Sequence, residues 1–425
     1  MRSVGEYLTM AERGLATRSR GCRVRRLLVN NGTKGKTVKQ TKEKNVLAGF
    51  FVIARFHRAL GYNFITKAAE NGRPRSKIIS PYLLYAIVSW TLYVFVIGSD
   101  IVRVSTLLED ERNRVIDRAI QILGDVRCVG IQLSVVALLL SKSQQFVDLL
   151  EYLVGLERKL TRAAPLRRTA VVVVCLSVIF SFTSVLSISA EIYDFDEYSH
   201  AAYMKILYGM FSLVFAENVC MISFSWLAYF CSAFAGCLSL INDDVDRMST
   251  ELAVCPKELA ELHRLFSDVG AAFVRLEDLL GMAILICFPL NIVSAAPWGY
   301  YMLKADKGTA IFMLDLIGFL TICAEMFAAG IYARLSKQEA KKTWDVLTKL
   351  LVSQEHTPEV REQIQEFRHT CQNQDFSFSG CGFFKVGPPL IVSIASAIIT
   401  YTVILYQSDN SSSSTPAAPL NTTQA

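Results

Sequence analysis

Long apolar runs, each near the length needed to cross a bilayer, alternate with charged segments along this chain. A transmembrane helix needs about 20 apolar residues, and seven stretches approach that length. They are residues 81–101, 126–140, 169–190, 204–230, 280–303, 309–333 and 390–407, numbered here as spans one to seven. The second is the weakest, because Arg127 and Gln132 interrupt it. The pattern predicts an all-α membrane protein with seven transmembrane helices.

Helical patterns also continue beyond spans four and six. Residues 204–241 are apolar over about 57 Å of helix, which is more than one crossing requires. Residues 251–279, the segment after span six, and the helix predicted to open at Thr357-Pro358 each carry an apolar stripe among charges. Such stripes indicate either a bundle on the membrane surface within one chain or an intracellular docking domain that joins subunits.

The distribution of basic residues predicts the orientation. With the N-terminus in the cytoplasm, 36 of the 44 Lys and Arg residues fall in inner segments and seven in outer ones. Cytoplasmic segments carry the excess of Lys and Arg in membrane proteins, so we expect a cytoplasmic N-terminus and an extracellular C-terminus. Asn410 and Asn421 then begin glycosylation sequons on the outer side, whereas the sequon at Asn31 stays inside and bare.

Composition supports a membrane protein and excludes several other classes. The chain is 52% hydrophobic and 19% charged, with a mean hydropathy of +0.34. A polybasic segment ahead of a membrane span explains the basic N-terminus better than nucleic acid does. The 11 cysteines fall in spans or inner segments, so they predict no extracellular disulfide framework. The sequence contains no metal-ligand spacing, phosphate-binding glycine loop or nucleophile elbow, which predicts no enzyme activity, metal or cofactor.

Polar and aromatic residues in the outer halves of the spans are candidates for a ligand pocket. A charge at bilayer depth costs at least about 2.5–3.5 kcal/mol, so each charged residue within a span is a candidate functional residue. We expect Arg127, at the outer end of span two, to extend to the interface. The aromatic residues indicate either an interfacial belt or an outward-facing small-molecule pocket, which Pro289 and Pro297 would help to open. The pocket candidates are Tyr93, Tyr208, Glu217, Asn218, Trp298, Tyr301 and Asp315.

The last span carries a weakly polar stripe on an otherwise apolar helix. Five positions recur at spacings of three and four and therefore share one face. They are Ser393, Ser396, Thr400, Val403 and Gln407. Such a stripe suits either a helix–helix seam of small residues or the wall of a water-filled path. The glutamine at the outer end favours the second interpretation, which requires several copies of the helix.

Two blocks near the C-terminus resemble the signature of insect gustatory receptors. "FSGCGFFKV" precedes the last span, and "ITYTVILYQ" ends it. The family has Cys-Gly-Phe-Phe in the first block and Thr-Tyr, five apolar residues and Gln in the second. The matching residues here are Cys381, Gly382, Phe383, Phe384, Thr400, Tyr401 and Gln407. The resemblance does not extend to residues 1–77 or to the serine-rich tail. A G-protein-coupled receptor is disfavoured, because that class has its N-terminus outside.

The resemblance implies a tetrameric ligand-gated cation channel in the plasma membrane, related to insect odorant receptors. Its partners would be a small-molecule tastant, permeating cations and identical or related subunits. The five-residue stripe would line the pore, with Gln407 at the outer mouth and Val403 as an apolar constriction. Alternatives are a ligand-binding subunit that conducts only in a heteromer, or a metabotropic receptor.

The expected organisation combines these assignments. The regions are a basic cytoplasmic segment (1–77), spans one to six (78–334) with cytoplasmic extensions at 231–279, cytoplasmic anchor helices (335–386), the pore helix (387–407) and a disordered extracellular tail (408–425).

Overall fold

A computed structural model describes most of the chain as long helices. The described residues are 45–59, 65–67, 74–76, 115–160, 200–250, 254–304, 310–353 and 355–413. Separate positions between 81 and 95 and parts of 169–182 are also described, and these are helical. In chain order the elements are α1 (Asn45–Ala59), β1 (Ile65–Lys67), β2 (Pro74–Ser76), α2 (Val115–Lys159), α3 (His200–Thr250), α4 (Pro256–Lys304), α5 (Ala310–Ser353), α6 (Pro358–Asn373), β3 (Ser379–Gly380), β4 (Phe384–Lys385) and α7 (Pro388–Ser413).

Four of the described helices have 44 residues or more and are about twice as long as the hydrocarbon core of a bilayer is thick. The longest, α3, has 51 residues and spans about 77 Å, against about 30 Å of hydrocarbon. Helix α4 combines the inner segment before span five with span five itself, and α5 combines span six with the segment after it. The expected domain boundary between residues 334 and 335 therefore falls inside one continuous helix.

Among the described residues, four helical segments are apolar and long enough to cross a membrane. They are Val129–Lys159, Ile222–Thr250, Pro256–Lys304 and Pro388–Ser408. These segments contain spans two, four, five and seven at least in part. Span six lies in α5, and spans one and three fall largely outside the described residues.

The long helices pair in two directions. Helices α2 and α4 are antiparallel, since Arg127 contacts Asn291 near one end and Lys159 contacts Asp268 near the other. Helices α3 and α5 are parallel: Ser336 Oγ donates to the Cys231 carbonyl at 2.9 Å, and Lys349 reaches Asp246 at 3.0 Å further along both helices.

Helix α1 packs into the core although it lies in the basic N-terminal region. Phe50 and Ile53 are fully buried, and the Phe50 ring lies 6.2 Å from that of Tyr229 on α3. The Val46 amide donates to Glu157 Oε2 of α2 at 3.4 Å, and the Tyr229 hydroxyl donates to the Val46 carbonyl. Residues 45–59 are therefore part of the folded unit.

Helix α6 folds back against α4 and α5, and its buried face is the predicted apolar stripe. Val360, Ile364 and Phe367 are buried. The Phe367 ring stacks on His263 at 4.8 Å and meets Phe266 at 5.4 Å. The predicted helix start at Thr357-Pro358 is confirmed, but the Thr357 side chain makes no capping hydrogen bond.

The α4–α6 contact leads to a stability prediction. Phe367→Ala should lower the free energy of unfolding by about 3–5 kcal/mol, because it leaves a cavity in close-packed surroundings. Val352→Ala is the control, since that apolar side chain on α5 is 81% exposed. Thermal unfolding of detergent-solubilised protein measures both. Equal unfolding temperatures for the two variants would contradict the packing described.

Candidate functional site

Helix α7 starts at a sharp break in the chain. Pro388 and Pro389 occupy its first turn, where a missing N–H costs nothing. The Ile391 amide donates to the Gly387 carbonyl at 3.2 Å. The helix begins slightly earlier than the expected Leu390 and continues past Gln407 to Ser413, so the first residues of the expected tail are helical.

The two sides of α7 have opposite environments. Ile391, Ile394, Ile398 and Thr402 are buried against the rest of the chain. At about 100° per residue, the stripe predicted from the sequence lies on the opposite side. Its five members, Ser393, Ser396, Thr400, Val403 and Gln407, are all exposed. Only 22% of the most apolar stretch of α7 is buried, against 78% in α3. The single chain thus leaves most of this helix uncovered.

Three hydroxyls of the stripe donate to carbonyls of their own helix. Ser393 Oγ donates to Pro389 at 3.1 Å, Ser396 Oγ to Val392 at 3.0 Å, and Thr400 Oγ1 to Ser396 at 2.8 Å. A hydroxyl has one donor and two acceptor lone pairs. With the donor used within the helix, each oxygen presents acceptors outward, which suits contact with water or a cation.

The signature residues before α7 form a tight hairpin. Strands β3 and β4 pair antiparallel, with Gly380 opposite Phe384. The Phe383 amide donates to the Gly380 carbonyl at 3.0 Å. Cys381 and Gly382 have φ values of 50° and 80°, the positive angles of a type I′ turn. Glycine adopts that conformation without the steric penalty of a Cβ atom, which explains its place in the signature.

The hairpin is bonded to the middle of α4. Glu277 Oε1 accepts the Ser379 amide at 3.0 Å and also the Ser379 hydroxyl. Ser379 Oγ in turn accepts the Gly382 amide at 3.0 Å. The Phe384 ring meets Phe288 edge-on at 5.7 Å. The chain segment that leads into α7 is thereby fixed to α4.

An ion pair also braces the hairpin. Lys385 Nζ lies 2.6 Å from Asp375 Oδ2, and the Ser377 amide donates to Asp375 Oδ1 at 2.9 Å. Burial alone would raise the pKa of Asp375, but hydrogen bonds from Lys385 and Ser377 outweigh it and lower the pKa. Asp375 therefore stays ionised under mildly acidic conditions.

The structure describes the predicted ligand pocket in part. Trp298 and Tyr301 are half-buried on neighbouring turns of α4, and the ring of Tyr301 lies 5.4 Å from that of buried Tyr300. Tyr208, Glu217 and Asn218 lie on α3 and Asp315 on α5, at positions whose side chains the structure does not describe; Tyr93 is outside the described residues. The pocket stays a prediction.

The prediction that Arg127 extends to the membrane interface is wrong. Arg127 is 2% exposed, and its Nε donates to Asn291 Oδ1 at 3.2 Å. Helix α2 begins at Val115, so Arg127 lies about 18 Å inside the helix rather than at its end. The pair was not foreseen because Asn291 is one polar residue within a long apolar run.

Among the residues that the structure describes, eight cysteines form no disulfide. No group of three or more His, Cys, Asp or Glu residues in these parts of the chain could hold a metal ion.

A long-helix membrane protein with an uncovered terminal helix is the class that these features define. The sequence model of the 7tm chemosensory receptor family matches residues 50–411. The chain belongs to this family, whose members are receptors and not enzymes, and it is a multi-pass membrane protein. The resemblance to insect gustatory receptors is confirmed. The match includes residues 50–77, so the expectation that the whole basic region lies outside the family was wrong.

Individual relatives agree with this assignment. The chain is similar to the gustatory receptor for sugar taste 43a of Drosophila melanogaster, with 25% identity over 154 residues, 36% of this chain and 35% of that receptor. The similarity thus spans about a third of that relative.

Solved structures show the same fold. The insect olfactory receptor OR5 from Machilis hrabei aligns with a TM-score of 0.64 and 13% identity, over 84% of this chain and 97% of that one. The same receptor in complex with eugenol also has a TM-score of 0.64, with 14% identity over 85% and 97%.

The bond between hairpin and α4 yields a prediction. Glu277→Ala should speed hydrogen exchange in residues 376–386 by about tenfold or more, because a charged acceptor is worth about 1.5–3 kcal/mol. Hydrogen-exchange mass spectrometry of the purified protein measures this.

The neighbouring carboxylate provides the control. Asp278 is exposed, and it is its backbone carbonyl that accepts a hydrogen bond from Lys142. Asp278→Ala should therefore leave exchange in the hairpin unchanged. Identical exchange in the two variants would show that Glu277 does not hold the hairpin.

Proposed function

We propose that this chain is a gustatory receptor that acts as a tastant-gated, non-selective cation channel, with a pore lined by α7 from four identical or related subunits. One observation carries the proposal: the polar stripe of α7 is exposed on the side opposite to its packed face. A helix placed in this way presents its polar side to whatever lies beyond its own chain.

Several copies of α7 are needed for either interpretation of the stripe. A seam of small residues requires a facing helix, and one helix cannot enclose a water-filled path. Gln407, at the outer end, favours the water-filled path, because water can form hydrogen bonds with an amide and lipid tails cannot. Four stripes around an axis would place rings of Ser393, Ser396 and Thr400 oxygens along the path, with Val403 as an apolar constriction.

The chemistry of the stripe suits cations without strong selectivity. Residues 388–408 contain no charged side chain, so this part of the path would offer only dipoles. Hydroxyl and amide oxygens act as acceptors and favour cations over anions. Rings of charge, which channels use for stronger discrimination, are missing from this segment of the sequence.

The remaining regions would serve this pore. Helix α6 and the inner part of α5, in the expected anchor region, would hold subunits together in the cytoplasm. Trp298 and Tyr301 would form part of an outward-facing ligand pocket, with Tyr93, Tyr208, Glu217, Asn218 and Asp315 as further candidates. The relative named for sugar taste makes sugars the first tastants to test, and the olfactory receptor solved with eugenol supports a small organic ligand.

Substitution of Gln407 tests the pore. Gln407→Glu would place a ring of carboxylates at the outer mouth and should raise Ca²⁺ permeability relative to Na⁺ several-fold, because like charges around a narrow path attract divalent ions most strongly. Reversal potentials in cells that express the chain, with G proteins blocked, give this ratio.

Ser408→Asp is the matched control, since it adds the same charge one residue further along, about 100° around the helix. It should change the permeability ratio less than Gln407→Glu does. Currents with an unchanged ratio in Gln407→Glu would contradict the pore assignment. Silence until a second receptor is co-expressed would support the heteromeric alternative.

The proposed topology has its own test. With the N-terminus cytoplasmic and the C-terminus extracellular, an antibody should bind a C-terminal epitope on intact cells and an N-terminal epitope only after permeabilisation. Glycan on Asn410 or Asn421, removed by Asn→Gln substitution, would agree. A glycan on Asn31 or the reverse antibody pattern would contradict the orientation.

A further inference from the structure

We propose that Thr402 is a positioning residue for the pore: through its hydrogen bond to Ala296, the outer half of α4 sets the position of α7 and hence how often the pore is open. The proposal rests on the channel function proposed above. It assigns to Thr402 a role distinct from those of the stripe residues, which face the other way.

Thr402 is bonded differently from the four other serine and threonine side chains that the structure describes on α7. It is 8% exposed, and its Oγ1 donates to the Ala296 carbonyl of α4 at 3.2 Å. The hydroxyls of Ser393, Ser396, Thr400 and Ser408 instead donate to carbonyls of α7 itself. Bonds within α7 do not restrain its position relative to other helices, whereas the bond of Thr402 connects α7 to α4.

Gly299 creates the space for this contact. A Cβ atom at position 299 would lie 2.6 Å from Thr402 Oγ1, closer than real contacts allow, and 3.1 Å from its methyl carbon, which is a tight contact. Ala296 and Gly299 lie one turn apart on α4, so the threonine rests on a surface made by both. The two helices are therefore in close contact where the hydrogen bond forms, and a change in α4 at this level would act directly on α7.

Helix α4 contains two prolines, Pro297 at this level and Pro289 about two turns before it. Each proline removes a hydrogen bond from the helix ladder, and such positions are where helices bend. Pro289 lies beyond Phe288, which contacts the hairpin, and Pro297 lies between Ala296 and Gly299. Helix α7 is thus joined to α4 on both sides of Pro289. The hairpin that leads into α7 contacts α4 before Pro289, and Thr402 contacts α4 after it. A bend of α4 between these two joints would tilt α7.

The ligand candidates lie on the same turns of α4. Trp298 and Tyr301 flank Gly299 and are half-buried. A ligand that moves either side chain would move the turn that holds Thr402. The geometry therefore provides a short mechanical path from the proposed pocket to the proposed pore.

The test compares two substitutions of Thr402. Thr402→Val keeps the shape and removes the donor; Ala296 keeps the backbone bond that its own helix provides, so no acceptor is left unsatisfied. Thr402→Ser keeps the donor. Single-channel recording should show that Thr402→Val changes the ligand-independent open probability by between about twofold and about tenfold, with single-channel conductance unchanged. Thr402→Ser should restore the wild-type value.

Two further measurements separate this role from others. Surface protein, quantified by biotinylation, reports any general loss of folding, which would lower the number of channels but not the open probability of each. Thr400→Val, on the exposed stripe, should instead alter conductance. Equal open probabilities for wild type, Thr402→Val and Thr402→Ser would overturn the proposal while leaving the channel function intact.

A wild-type chain that conducts under no condition would contradict the channel function. The role of Thr402 in positioning α7 can then be tested without any current. Hydrogen exchange of residues 396–405 in the purified protein should be faster in Thr402→Val than in Thr402→Ser or wild type. Identical exchange in all three would show that α4 does not hold α7 in place, which overturns the proposal without any current.

Discussion

A helix that crosses a membrane must place its polar side chains against protein or water, and α7 has its polar stripe on the side away from its own chain. Bonds to its own carbonyls lower the cost of exposing Ser393, Ser396 and Thr400 to lipid, but they do not explain why these residues share one face. The stripe becomes understandable when other copies of α7, or water between them, cover it. The assembly, the pore and the position of the ligand pocket in our account all depend on this arrangement.

Helix α4 connects the parts of the molecule that this arrangement requires. It packs along α2, it holds the signature hairpin through Glu277 and Phe288, and it meets the buried face of α7 at Ala296. The hairpin thus fixes where α7 starts. The signature residues have two different physical roles: Cys381 to Phe384 build and seat the turn, whereas Thr400 and Gln407 lie on the exposed stripe.

Local patterns in the sequence predicted much of this fold. The spacing of Ser393, Ser396 and Thr400 identified one face of α7, and Thr357-Pro358 marked the start of α6, because both depend on helical periodicity and backbone chemistry. Contacts between distant segments were not predictable in this way. Arg127 was misplaced because its partner Asn291 lies 164 residues away, and nothing near Glu277 or Thr402 indicates that each bonds to another element. The burial of α1 was likewise hidden by the basic residues that precede it.

The central claim is that the stripe of α7 faces an axis shared by several subunits. Single-particle cryo-electron microscopy of the purified full-length protein in lipid nanodiscs tests it most directly. Our account predicts four subunits, with Ser396, Thr400 and Gln407 of each facing a central path and Ile394 and Ile398 facing α4 and α5. A structure with α7 on the lipid-facing perimeter, or with its stripe turned into its own subunit, would contradict the account.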